Sequence, residues 1–147
     1  MESVAWVLGL RAGHSVAVGE LELVHVLPDR PELFPVLKSP AHCDHVFLWQ
    51  DNVLPVFDLS TWLGDESATG DSEHIGIVRY RRSRGEPVSY GSLLIEGPPR
   101  QVRVRDEQAC ELPPGATRWR DVAISCFEHG GQPTPVLDVA RIFSRAL

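Results

Sequence analysis

The sequence V-L-P-V-F-D-L-S-T-W-L-G, from Val53 to Gly64, carries the clearest structural signal in the chain. Its opening apolar run contains β-branched and aromatic residues, which favour a strand, and its proline suits a strand start, an edge or a bulge. Asp58 then stands at a helix N-cap position, where a carboxylate accepts backbone N–H groups of the first turn. Gly64 is the residue that ends such a turn in the left-handed conformation. The stretch therefore predicts a strand, a cap and a short helix in succession.

A weaker copy of this stretch, T-P-V-L-D-V-A-R-I-F-S, runs from Thr134 to Ser144. When the two copies are aligned, Asp138 falls on Asp58, about eighty residues earlier. This period is too long for a solenoid repeat and suits a duplicated half-domain. We therefore expect one domain over residues 1–147, with approximate lobes 1–70 and 71–147.

Composition and length exclude several classes of protein. The chain has 147 residues, the size of a single domain, and 43% of them are apolar, enough for a packed core. No apolar run reaches the eighteen or so residues of a membrane span, and the N-terminus lacks a secretory signal pattern. The cysteines are odd in number and widely spaced: Cys43, Cys110 and Cys126. This pattern indicates a reduced, cytoplasmic protein without direct membrane insertion.

The net charge of −6 is unevenly distributed. Residues 1–70 carry ten acidic and three basic side chains, a net −7, whereas residues 71–147 carry ten acidic and eleven basic, a net +1. Such a balance disfavours nucleic acid as a partner. It suggests two differently charged docking faces.

The rest of the chain alternates short strand-like runs with glycine and proline breaks, which is typical of small barrels or a sandwich and predicts an all-β protein. Residues 28–40 hold four prolines and are predicted as a loop. Residues 65–73 are small, polar and acidic, and are predicted to link the lobes. Gly97-Pro98-Pro99 is predicted to break the chain, and residues 116–121 are a candidate for one further helical turn. A hairpin is predicted around a turn at Asp51-Asn52.

These motifs resemble the CheW-like domain, the coupling module of bacterial chemosensory arrays, from Val4 to Phe143, most specifically over Leu54–Gly64. The resemblance implies two five-stranded SH3-like β-barrels packed side by side around a shared apolar seam. It also implies an adaptor without catalysis or cofactor, monomeric in isolation. One face would bind a CheA-type histidine kinase, and a groove between the lobes would receive the cytoplasmic tip of a methyl-accepting chemoreceptor.

The chain departs from the family pattern before the first repeat unit. Typical members read G-V-I-N-L-R-G where this chain has His45 to Asp51, so that Gln50 replaces an arginine and Asp51 a glycine. Glutamine lacks the bidentate reach of arginine, and the aspartate reverses the local charge. We therefore expect a divergent member in an alternative array, such as one controlling type IV pili. The alternative is a scaffold of the same fold that binds a different regulatory protein outside the array.

Candidate partner-binding residues lie in two places. Trp49, Gln50 and Asp51 form the predicted hairpin tip, where tryptophan is a frequent interface anchor; alternatively, Trp49 only covers the barrel mouth. Leu21 and Val24 match the positions that line the receptor groove in the family, and ordinary core is the preferred alternative for either one alone.

Three further groups of side chains have simpler explanations than a site. Asp58 and Asp138 could be mistaken for a catalytic carboxylate pair, but two helix caps explain both. His42, Cys43 and His45 could bind a metal ion, but zinc would require a fourth ligand, and an ordinary loop is the simpler explanation. The arginines at residues 79, 81, 82 and 84 are expected to be solvated at a hairpin tip. The alternative is that they contact an acidic partner.

Overall fold

The computed structural model describes residues 2–10, 13–29, 31–64, 74–113 and 118–145. Over these residues the chain forms ten strands and three short helices. The strands are β1 (Glu2–Gly9), β2 (Ser15–Gly19), β3 (Leu23–Leu27), β4 (Phe34–Pro35), β5 (His45–Trp49), β6 (Asn52–Phe57), β7 (His74–Tyr80), β8 (Ser89–Arg105), β9 (Ala123–His129) and β10 (Gln132–Leu137). The helices are α1 (Leu59–Trp62), α2 (Trp119–Val122) and α3 (Val139–Arg145). None of these helices is long and apolar enough to span a membrane.

Strand β8 belongs to two lobes. Its residues 89–95 pair with β7, and its residues 96–105 pair with β1. The β1 lobe comprises β1, β2, β9, β10 and the second part of β8. The β7 lobe comprises β3, β5, β6, β7 and the first part of β8, with the two-residue β4 added beside β5. The prediction of an all-β protein with two five-stranded lobes is confirmed.

Strand pairing does not follow the predicted division at residue 70. Glu2 pairs with Arg105, and Ala17 pairs with Val136, so each lobe takes strands from both halves of the sequence. We propose on this basis that the lobes of the single domain are interleaved along the chain. The predicted linker, residues 65–73, lies outside the described residues.

The predicted chain break at Gly97-Pro98-Pro99 is wrong. Strand β8 runs through it, because Gly97 takes a φ of 65°, which lets the strand bend where its partner changes from β7 to β1. The loop predicted over residues 28–40 also contains the short strand β4. Of the possible turn at residues 116–121, α2 is present from Trp119, while residues 116 and 117 lie outside the described residues.

The duplicated unit has the same structure in both copies. Strand β6 pairs in parallel with β8, and β10 pairs in parallel with β2. Asp58 Oδ1 accepts a hydrogen bond from the backbone N–H of Thr61 at 3.2 Å, and Asp138 Oδ1 accepts one from that of Arg141 at 3.2 Å. Both aspartates are therefore helix caps, as predicted, rather than a catalytic pair.

The core has one shared part and one smaller part in each lobe. Phe143, from α3 at the end of the β1 lobe, is fully buried and stacks on Tyr80 of β7, with ring centroids 5.4 Å apart. Val102 and Val104 pack inward under β1 while the arginines beside them are exposed, as the alternating sequence predicts. The largest cluster thus joins both lobes, and its buried members include Leu8, Val18, Phe57, Val78, Tyr80, Leu93, Trp119 and Phe143.

Candidate docking end of the β7 lobe

The tip of the β5–β6 hairpin is a two-residue turn. Trp49 pairs with Asn52, and Gln50 and Asp51 between them take φ values of 47° and 63°. Positive φ at both central residues is the type I′ turn, whose twist matches that of the flanking strands. The predicted turn at Asp51-Asn52 is therefore displaced by one residue. The Asn52 side-chain amide instead closes the turn by donating to the Gln50 carbonyl oxygen at 3.1 Å.

The backbone of this tip is strained. The matching tip of the other lobe uses Gly130 and Gly131, with φ values of 62° and 80°, for the same conformation. Glycine adopts these angles without a steric penalty, whereas a side chain such as that of Gln50 costs about 1–2 kcal/mol there. Residues held in such conformations concentrate at functional sites, so the tip is a candidate for binding.

Trp49 is half-buried at the base of this tip. Its ring meets that of Tyr90 on β8 edge to face, with centroids 5.5 Å apart, and it packs against the smaller core of the β7 lobe. The side chain therefore covers one end of that core while part of its surface stays accessible. Its role as an interface anchor stays a prediction.

An exposed apolar pair adjoins the tip and was missed in the sequence. Leu48 on β5 and Val53 on β6 lie directly opposite each other, with 64% and 63% of their surfaces exposed. Both face away from the core, because their neighbours Phe47 and Leu54 face into it. With the turn placed at Gln50-Asp51, the alternation of side chains along each strand predicts that Leu48 and Val53 pair on the outer face.

Leu21 and Val24 are on the surface, so the preferred alternative of ordinary core is wrong for both. Leu21 is 79% exposed in the turn between β2 and β3, and Val24 is 41% exposed on β3. The turn is held against β7, since the Arg79 backbone N–H donates to the Glu22 carbonyl oxygen at 2.9 Å. Their part in partner binding stays a prediction.

Leu21, in the turn before β3, and Trp49, at the end of β5, lie at the same end of the β7 lobe. Arg79, which holds the turn of Leu21, pairs with Tyr90, whose ring contacts Trp49. Strands β7 and β8 therefore stand between the two candidate places. We call this region the docking end, and its residues are Leu21, Leu48, Trp49, Gln50, Asp51 and Val53.

Charged side chains of both signs lie next to the docking end. Arg79, Arg81, Arg82 and Arg84 are all exposed at and beyond the end of β7. Glu22 is partly buried, and its carboxylate accepts a hydrogen bond from the Gly19 backbone N–H at 2.7 Å. Burial raises the pKa of Glu22, and the charge of Asp138 raises it further against the lowering effect of that hydrogen bond.

His42, Cys43 and His45 do not converge into a metal site. The ring of His42 packs edge to face on Phe57 and Trp62, with centroids 5.3 and 4.8 Å away, and burial, with the charge of Arg118, lowers its pKa. His45 Nδ1 lies 2.6 Å from an oxygen of Asp44. Within the described ranges there is no cluster of three or more histidine, cysteine or acidic side chains that could hold a metal ion.

Comparison with known proteins identifies the same fold. Residues 7–147 match the family model described as the CheW-like domain. Among solved structures, the chain is similar to the crystal structure of the scaffolding protein TtCheW from Thermoanaerobacter tengcongensis. The TM-score is 0.74 and the sequence identity 16%, over 94% of this chain and 90% of that chain. At this identity the likeness establishes the fold. Comparison with curated proteins finds no match.

Proposed function

This chain belongs to the family of CheW-like domains, and from that premise we propose that it is a non-catalytic chemosensory scaffold. It couples the cytoplasmic tip of a methyl-accepting chemoreceptor to a CheA-type histidine kinase, in an alternative array such as one controlling type IV pili. It acts in the cytoplasm, at membrane-associated arrays, and is a monomer when isolated. Neither nucleic acid nor a cofactor takes part.

The docking end supports this proposal. A rigid two-residue turn holds Gln50 and Asp51 in a strained conformation beside Leu48 and Val53, two large apolar side chains that face solvent. Exposed apolar residues grouped around a fixed turn are what a protein partner can bury at little entropic cost. This grouping is the single observation that carries the proposal.

The mechanism is geometric. The strand β8 and the shared core fix the two lobes relative to each other, so partners bound to different lobes are held at a fixed orientation. Each contact needs only moderate affinity, because an array presents many copies and raises the effective concentration of each partner.

The direct test is binding of the purified chain to two proteins from its own cell, the regulatory domain of a CheA-type kinase and a receptor hairpin. Replacing Leu48 by Asp should weaken at least one of these complexes about tenfold, the loss expected for an apolar interface anchor. Ile124→Asp is the matched control, because Ile124 is also an exposed apolar strand residue, 67% accessible, but lies on β9 of the other lobe. Equal binding by both variants, or no binding by the unmodified chain, refutes the coupling role.

The second candidate function is a scaffold for a regulatory protein outside the array, and the altered tip favours it. The double substitution Gln50→Arg and Asp51→Gly restores the family residues at these two positions and also relieves the positive φ at residue 51. If the array role is right, binding of kinase or receptor should rise in this variant. Binding that stays absent in both the original chain and the variant favours the regulator outside the array.

A further inference from the structure

Cys110 and Cys126 lie opposite each other where the β1 lobe closes. Ala109 forms an antiparallel bridge with Phe127, and the Cys110 backbone N–H donates to the Cys126 carbonyl oxygen at 3.0 Å. Their Sγ atoms are 3.4 Å apart. Opposed residues of an antiparallel pair have Cα atoms about 4.5–5.5 Å apart, which falls within the range spanned by disulfides. Only a small side-chain movement separates these two thiols from a covalent bond.

A small reagent can reach this pair. Cys126 borders an open cavity of about 370 Å³ whose other walls include Ala5, Val104, Phe127 and Val136. Cys110 is half-buried, whereas Cys126 is buried. The remaining cysteine, Cys43, is buried at the end of the 3₁₀ turn Ala41–Cys43 and does not line this cavity.

We propose that Cys110 and Cys126 form a reversible disulfide when the protein meets hydrogen peroxide. The Cys110 thiol loses its proton, and its sulfur attacks one peroxide oxygen. The O–O bond breaks, Cys110 becomes a sulfenic acid, and the second oxygen leaves as water with the released proton. Cys126 sulfur then displaces the hydroxyl group from Cys110: the S–S bond forms, the S–O bond breaks, and the hydroxyl leaves as water with the Cys126 proton. The two sulfurs together give two electrons to the peroxide.

The surroundings assign the two roles. Burial, followed by the hydrogen bond between this thiol and that of Cys110, raises the pKa of Cys126 to about 12, so this residue keeps its proton at neutral pH. A thiolate is the attacking species in such chemistry, and Cys110 is the less buried of the two residues. Cys110 is therefore the residue that reacts first, and Cys126 resolves it.

The disulfide would covalently link neighbouring chain segments in one lobe only. In the β1 lobe, residues 109 and 110 join β9, and the disulfide would make that junction covalent. At the matching seam of the β7 lobe, β4 joins β5, and the Val36 backbone N–H donates to the Asp44 carbonyl oxygen at 2.8 Å. Neither residue there is a cysteine, so oxidation would distinguish the two otherwise similar lobes.

The test is to treat the folded, fully reduced protein with hydrogen peroxide and count free thiols after unfolding. We expect the count to fall from three to one, the intact mass to fall by two hydrogen atoms, and dithiothreitol to reverse both changes. Peptide mapping of the unmodified chain should show the linked peptides of Cys110 and Cys126.

Cys43→Ser is the matched control and should still form the bond, leaving no free thiol. Cys110→Ser and Cys126→Ser should form no intramolecular bond, and only the unmodified chain and Cys43→Ser should gain thermal stability on oxidation. The proposal is overturned if the linked peptides include Cys43, if the bond joins two chains, or if all three thiols survive a peroxide dose that oxidises an unfolded sample.

Discussion

Asp58 and Asp138 hold the same place in two backbone networks as well as in two helix caps. The Asp58 backbone N–H donates to the His42 carbonyl oxygen at 2.7 Å, and the Asp138 N–H donates to the Val122 carbonyl oxygen at 2.8 Å. In each case the acceptor lies sixteen residues earlier in the sequence. The duplication therefore extends over a whole unit of turn, hairpin, cap and helix.

Loss of either cap should destabilise the fold. Asp58→Ala removes the acceptor for the Thr61 N–H and hydroxyl groups, at 3.2 and 2.9 Å, and should lower the free energy of unfolding by about 1 kcal/mol. Asp58→Asn should cost less, since asparagine is an equally good N-cap. Denaturant unfolding measures both. If the asparagine variant is as unstable as the alanine variant, the loss does not come from the capping hydrogen bonds, and the prediction is wrong.

Gly91 should tolerate no side chain. A Cβ atom there would lie 2.5 Å from the Cε1 and Cζ atoms of Phe143, which is fully buried. Gly91→Ala should therefore lower the free energy of unfolding by about 2 kcal/mol through overpacking. In a Phe143→Leu background, where the ring is absent, the same substitution should cost clearly less. Equal costs in the two backgrounds would show that the ring is not the obstacle.

Relief of the strained turn should stabilise the protein. Gln50→Gly removes the side chain from a residue with a φ of 47° and should raise the free energy of unfolding by about 1 kcal/mol. Gln132→Gly is the control, because Gln132 is exposed in the matching hairpin but lies in strand β10, where glycine should destabilise. A loss of stability in both variants would show that the backbone of Gln50 is not strained.

Glu22 should make stability depend on pH. Its pKa is raised above its ordinary value of 4.5, so the folded state binds the proton more tightly than the unfolded chain does. The contribution of this protonation to the free energy of unfolding is fully present below pH 4.5 and is lost as the pH rises through the raised pKa. Glu22→Gln should therefore gain stability relative to the original chain over that rise and then level off. Denaturant unfolding across the range tests this, with the exposed Glu20→Gln as control; a difference independent of pH would exclude the effect.

The local parts of the fold follow from sequence, and the long-range parts do not. Asp58 and Asp138 are predictable as caps because the residues that decide a cap lie within one turn of it. The path of β8 is not, because Gly97 and two prolines are typical of a break as much as of a bend. Pairing with a distant strand, β1, keeps that segment extended, since Gly9 pairs with Glu96 on one side of it and Val7 with Arg100 on the other.

The docking end was predictable in part for the same reason. Gln50 and Asp51 stand out because they replace the residues expected in the family pattern. The exposure of Leu48 and Val53 depends on hairpin register, and a one-residue error in the turn reverses which side chains face solvent. Leu21 is apolar, and nothing in its immediate sequence distinguishes a buried from an exposed leucine.

The order of the strands also determines when each lobe can fold during synthesis on the ribosome. The first strand pairs with residues about a hundred positions later, and β2 pairs with β10, so the β1 lobe waits for almost the entire chain to be synthesised. Pairing over such separations slows folding. A nascent chain arrested near residue 70 should therefore expose β1 and β2 to chaperones, and a gene split there should yield two fragments that fold only together.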